Sequence, residues 1–175
     1  LANRAATPES RYRAFLALGS LHQDAYDYEE AGRLYREAEG LVRQLDDEIA
    51  MASWLKRSAL TQAAHARQAA ALGELDARTL ANAVDALKKS IAFAKGLAEG
   101  PEALLDHLLL AEMLVLQRRY NDALALYDAH LPSADGEGFL HEVTVAMADS
   151  AHCCIELGRV DDGYAQLLSA LRRVD

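Results

Sequence analysis

The sequence predicts an all-α protein, and three observations carry that expectation. Three prolines, seven tyrosines and three phenylalanines stand against a very large alanine content, a balance that favours helices over a sheet. Between Phe15 and Ala38 the candidate core positions fall at Phe15, Leu18, Gly19, His22, Tyr28, Ala31, Tyr35 and Ala38. That spacing lets two antiparallel helices each bury one stripe against the other. The small residue at the centre of the second helix, Ala31, then recurs as Ala83, Ala123 and Gly163, at intervals of 52, 40 and 40 residues. Two equal intervals mark an internal repeat.

Leu1 to Pro8 has no period and reads as a lead-in. Glu9 to Asp24 is the first helix and Tyr28 to Leu45 its partner. Glu29 and Glu30 stand in the partner's first turn and Arg43 in its last, each at the end of the helix dipole that favours its sign. Gly19 and Ala31 are expected to face each other and let the backbones approach, with Phe15, Leu18 and Tyr35 filling the space around them. The first interval exceeds the others by 12 residues (52 against 40). These are assigned to a helix from Asp47 to about Gly73, about 40 Å long at 1.5 Å per residue and expected to protrude.

Its partner, Thr79 to Ala98, carries Leu80, Ala83, Leu87, Ser90 and Ile91 and breaks at Gly100-Pro101, where proline opens the third hairpin. The third hairpin's second helix carries Tyr120, Ala123, Tyr127 and Leu131, and Pro132 to Gly138 is expected to be a loop. The fourth copy has Gly158, Val160, Gly163, Leu167, Ala170 and Leu171, with Asp161 and Asp162 in place of Glu29 and Glu30. The hairpins are placed at about 9–45, 47–99, 101–131 and 139–175, a single array over 9–175. The chain opens on Leu1 and stops at Asp175 inside a helical pattern, so a fragment of a longer protein is expected.

The long helix offers a stripe of Leu55, Ala59, Ala63, Ala66 and Ala70 at helical spacing. Small residues suit close helix contact. Two readings stand: packing on the chain's own next helix, or a homodimer seam.

Chemistry-bearing patterns are sparse. His141-Glu142 begins like HExxH, but Val145 occupies the second histidine's place, one turn on. No glycine-rich phosphate loop, GxSxG elbow or CxxC occurs. The six histidines are scattered; His152 and Glu156 share a helix face, whereas His107 has only Asp106 and Glu112 nearby at spacings that point elsewhere. Neither a catalytic group, a cofactor nor a metal site is expected. Cys153 and Cys154 are adjacent, about 100° apart on a helix, and poorly placed to bridge each other, which suits a reduced cytoplasmic protein. The net charge of -9 argues against nucleic acid or an anionic membrane as main partner. No apolar run approaches the roughly 20 residues of a membrane span.

The core pattern resembles the tetratricopeptide repeat, matched at every position of Phe15 to Ala38 except His22, where an aromatic is usual. The period of 40 exceeds the repeat's usual 34. The resemblance implies an all-α, α-α superhelix whose first helices line a concave groove for peptides or partner helices, and places Cys154, equivalent to His22, in the core. Carried over by position, the groove takes Arg13, Leu16, Ser20 and Gln23 from the first copy. The third copy supplies Leu105, Leu108, Leu109, Glu112 and Val115, and the fourth Val145, Ala148, Asp149, His152 and Ile155. Such a mostly apolar groove suits an amphipathic helix or an apolar peptide. Leu16 and Ser20 stand where chaperone-binding members hold a carboxylate with Lys and Asn, so that activity is not implied.

The long period also looks like arrays of bacterial multidomain signalling proteins, in which the repeats precede a GGDEF diguanylate cyclase or a transcription-regulator output domain. The Ala, Leu and Arg-rich composition suits a high-GC bacterial source. A non-catalytic protein-binding, sensory or regulatory module is therefore expected. The alternative is a structural spacer or homodimerisation element with no groove ligand.

Overall fold

A computed structural model describes residues 6–95 and 102–173. Among them there are eight helices and no strand: α1 (Pro8–Asp24), α2 (Tyr28–Leu45), α3 (Glu48–Leu72), α4 (Ala77–Ala94), α5 (Glu102–Leu116), α6 (Tyr120–Gly136), α7 (Leu140–Glu156) and α8 (Val160–Leu171). The chain divides into two compact units, Leu1–Phe93 and Ala94–Asp175.

Local chemistry sets the helix ends. Thr7 accepts from the Ser10 N–H at 3.1 Å and Pro8 opens α1, where its missing N–H costs nothing. Asp47 accepts from the Ile49 and Ala50 N–H groups at 2.9 and 3.1 Å, and Gly73, at φ 72°, closes α3.

The repeat is visible in its turns. After α1, the N–H groups of Ala25, Tyr26 and Asp27 bond back to the carbonyls of Leu21, Gln23 and His22. The same three bonds follow α5, at Gln117, Arg118 and Arg119, and α7, at Leu157, Gly158 and Arg159. The middle residue is left-handed each time, φ 61°, 58° and 79° at Tyr26, Arg118 and Gly158. Arg119 and Arg159 then donate from Nε to Asp122 and Asp162, at 2.7 and 2.8 Å, in equivalent first turns.

In unit 1, α1 packs on α2 and α2 on α3, with α1 also touching α3. Tyr12, Ala38, Leu41, Val42 and Trp54 form a buried cluster at that junction, with Phe15, Leu16, Met51 and Leu55 against it. Two side-chain bonds tie α3 down: the Tyr12 hydroxyl donates to the Ala50 carbonyl at 2.7 Å, and Trp54 Nε1–H to the Tyr35 carbonyl at 2.7 Å. α4 buries Leu80, Ala83, Val84, Leu87, Ser90 and Ile91, one stripe at helical spacing. In unit 2, α5 packs on α6, α6 on α7, α7 on α8, and α5 on α7.

The repeated small residues are in the core. Ala31, Ala83 and Ala123 have no exposed surface, and Gly163 is buried. At Gly19 the Tyr35 ring fills the space: a Cβ on Gly19 would stand 2.5 Å from Tyr35 Cε1. Ala111 and Ala151, which precede Ala123 and Gly163 by the same 12 residues as Gly19 precedes Ala31, are likewise wholly buried.

Several expectations need correcting. Eight of the 12 extra residues do lie in α3, 25 residues long against 17 in α7, but the helix does not protrude. Ala63 and Ala66, beyond its midpoint, are fully buried, while Arg67, Gln68 and the end from Ala71 are exposed. Of the alanine stripe, Ala59, Ala63 and Ala66 are covered by the chain itself, and Leu55 packs on the Trp54 cluster. Ala70 is half-buried.

The loop expected from Pro132 is helix as far as Gly136. Pro132 stands exposed, so its ring displaces no packed neighbour, and the wholly buried Ala134 anchors the last turn. The Gly100-Pro101 break and Ala98 lie outside the described residues, and α4 ends at Ala94.

Candidate functional site

The first helices of the hairpins supply the candidate binding faces, taken here unit by unit. Between α1 and α3 lies an open cleft of about 460 Å³, lined by Ser20, Gln23 and Asp24 from one helix and Ser53, Lys56, Arg57 and Leu60 from the other. The Arg57 guanidinium donates to Ser20 Oγ at 2.5 Å, and the buried Thr61 hydroxyl to Gln23 Oε1 at 2.6 Å. These bonds hold the two walls in register, so the cleft is shaped before any ligand arrives.

Of the first-copy residues expected here, Ser20 and Gln23 line the cleft. Leu16 belongs to the core around Trp54, and Arg13 is exposed and paired with Glu9 at 2.7 Å. This section is therefore lined mainly by polar and charged residues, with Leu60 as its apolar one. Lys56 and Arg57 lie off the alanine stripe, on the face of α3 towards α1, and no local spacing singles that face out.

In unit 2, Leu108 is 5% exposed and belongs to the core, so it is closed to a partner. Leu105, Leu109, Glu112 and Val115 are half-buried, as are Ala148 and Asp149 on α7. Val145 and Ile155 are exposed, at 43% and 38%. His152 is exposed, and the Tyr120 ring meets it edge-on with centroids 5.7 Å apart.

The structure brings Glu112 and Asp149 together at one point, the hydroxyl of the buried Tyr127. That hydroxyl donates to Asp149 Oδ2 at 3.4 Å. Burial raises the phenol's pKa, and the charges of Asp149 and Glu112 raise it further, so the group stays a donor.

Residues with intrinsic reactivity are placed elsewhere. His22 bonds Asp27 through Nδ1 at 3.0 Å, so it is a turn residue instead of a core aromatic. His107 is buried, bonds the Ala103 carbonyl at 2.8 Å and stacks on His130 with centroids 4.0 Å apart. No group of three or more His, Cys, Asp or Glu that could hold a metal occurs among the described residues.

Cys153 and Cys154 are both free and wholly buried. Burial, then the charge of Asp149, pushes the Cys153 thiol up to about 11, and burial also raises Cys154. Since the thiolate is the nucleophile, both should resist alkylation at pH 8 in the native chain. The expected result with a chromogenic disulfide reagent is no fast phase, and two thiols per chain on unfolding. A native thiol reacting at the rate of free cysteine would contradict the burial.

Architecture and faces together define a class: an all-α protein of tandem helical hairpins of the tetratricopeptide-like kind. No protein-family model matches the chain, and no curated protein matches it by sequence. Among solved structures it is similar to the apo form of RapI, with a TM-score of 0.69 at 15% identity over 95% of this chain. The match spans 43% of the RapI chain, so this chain covers under half its length. At that identity the likeness is one of fold. Among the described residues, no helix is long and apolar enough to cross a membrane.

Proposed function

We propose that this chain is a non-catalytic helical-repeat module that binds a protein segment along the first helices of its hairpins. It would act as the sensory or regulatory part of a cytoplasmic bacterial signalling protein, ahead of an output domain such as a GGDEF diguanylate cyclase or a transcription regulator. The observation that carries the binding reading is the α1–α3 cleft, pre-shaped by the Arg57–Ser20 and Thr61–Gln23 bonds. A peptide backbone needs donors and acceptors along its length together with a few side-chain anchors. Ser20, Gln23 and Ser53 offer the former, and Lys56 and Arg57 suit an acidic side chain. In unit 2, Val145 and Ile155 offer apolar anchors. The burial of Ala59, Ala63 and Ala66 within the chain favours this reading over self-association through the alanine stripe.

Peptides selected from a random display library on the full chain, then measured by fluorescence anisotropy, test this. Arg57→Glu should weaken the selected peptides about tenfold or more while leaving the far-UV circular dichroism unchanged. Val145→Asp should do the same for peptides anchored on unit 2. Peptides indifferent to both changes would sink the proposal. Leu108→Asp is unsuitable as a probe, because a buried unpaired charge would damage the fold itself.

A further inference from the structure

On another face of α3, away from the α1–α3 cleft, unit 1 has a second hollow of about 500 Å³, enclosed by α2, α3 and α4. Three helices turn cationic or amide side chains into it: Arg36 from α2, Gln62 and His65 from α3, Arg78 and Asn82 from α4. Glu29 is the one carboxylate on its wall among the described residues. The missing side chain at Gly32 leaves room for Arg36, whose Nη1 lies 3.5 Å from the position a Cβ would take.

What sets these two arginines apart is their place: both line one hollow, from different helices, and neither makes an ion pair among the described residues. The chain has 27 acidic residues, and Arg13, Arg33, Arg43, Arg119, Arg159 and Arg173 all pair with one. The carboxylate nearest Arg78 in sequence, Asp76, accepts from the Thr79 N–H at 2.6 Å, and the Arg78 charge acts on it without a direct ion pair. Two guanidinium forks on different helices, with an imidazole and amides lining the same hollow, form a donor-rich wall in an acidic protein.

We propose that this hollow binds a phosphoryl group, as a phosphomonoester carried by a small metabolite or by a phosphorylated side chain. Guanidinium forks match phosphate oxygens in pairs, and a phosphoryl group offers three terminal oxygens, enough to meet donors from three helices. A planar carboxylate offers two. The volume falls within the range of small-ligand sites. The site lies apart from the α1–α3 cleft and does not depend on that cleft being occupied.

Inorganic phosphate titrated into the isotope-labelled full chain, read by amide NMR shifts, is the first probe. Saturable shifts are expected at the amides of Arg36, Gln62, His65 and Arg78 by about 10 mM phosphate, the range of a single weak ionic site. The Arg36→Gln, Arg78→Gln double variant should lose about tenfold or more in affinity with unchanged thermal melting, since both side chains are exposed. The corresponding double lysine variant keeps the charge, loses the forks, and should fall between.

Ribose 5-phosphate binding more tightly than phosphate would assign the metabolite source. A phosphoserine peptide binding more tightly than its unphosphorylated form and than phosphate would assign the side-chain source. The absence of saturable shifts, or shifts that persist unchanged in the double glutamine variant, would overturn the proposal.

Discussion

Replacing Trp54 with alanine is expected to cost about 3–5 kcal/mol, the usual range for removing a buried large aromatic. The indole is 7% exposed, sits among Tyr12, Ala38, Leu41 and Val42, and bonds the Tyr35 carbonyl through Nε1 at 2.7 Å. It thus ties α3 to α2 where Tyr12 ties α3 to α1. Deleting it leaves a cavity that the α-helical walls can only partly close. Against a typical total of about 5–15 kcal/mol, that loss is a large fraction of the stability. Urea unfolding followed by circular dichroism is the readout, since Trp54 is the chain's single tryptophan and its fluorescence disappears with it. Trp54→Phe keeps most of the packing and gives up the N–H bond, so its cost should be nearer 1–2 kcal/mol, in rough terms. A loss below about 1 kcal/mol for the alanine variant would show that the junction repacks without the ring.

Gly163→Ala and Gly40→Ala should move stability in opposite directions, although both replace a helical glycine with the best helix former. Helix propensity alone favours alanine by about 1 kcal/mol at either site. At Gly40, on α2, nothing lies within 4 Å of the new methyl, so the gain of about 0.5–1 kcal/mol should appear. At Gly163, on α8, the methyl would stand 2.7 Å from Ile155 Cγ1 and 2.8 Å from the Ala151 carbonyl oxygen. The Ile155 side chain can turn away, but the carbonyl belongs to the backbone of α7, so α7 and α8 must separate. Overpacking of this kind costs about 1–3 kcal/mol, which outweighs the propensity gain. Thermal melting of the two variants decides it. A stabilised Gly163→Ala would mean that the helices are not in close contact there.

The same residues divide what was readable in advance from what was not. Gly163 was legible as a close-contact position, because Ala31, Ala83 and Ala123 mark the same place at intervals of 52, 40 and 40. Gly19 was legible as small and Tyr35 as a filler of the space beside it, and the packing sets the Tyr35 ring against the Gly19 Cα. Trp54, Lys56 and Arg57 escaped notice. The alanines of α3 form the more regular stripe, and nothing local says which face of a 25-residue helix meets which neighbour. Leu108 was assigned to a binding face on register alone and lies in the core, one turn from residues that remain half-exposed.

By itself, the sequence determined the all-α class and the repeated hairpins, though not where every helix ends, since α6 runs on through Pro132. Both depend on interactions within a few residues: a capping threonine or aspartate, a left-handed turn residue, an apolar stripe of period 3.6. The tertiary structure alone decided which stripes are buried and where the hollows lie. The Arg57–Ser20 bond joins residues 37 apart, and the Thr61–Gln23 bond residues 38 apart. The meeting of Arg36 with Arg78 across one hollow depends on how three helices pack. Helix periodicity states that a face exists. Only the neighbour that covers it, or leaves it open, makes that face a core or a site.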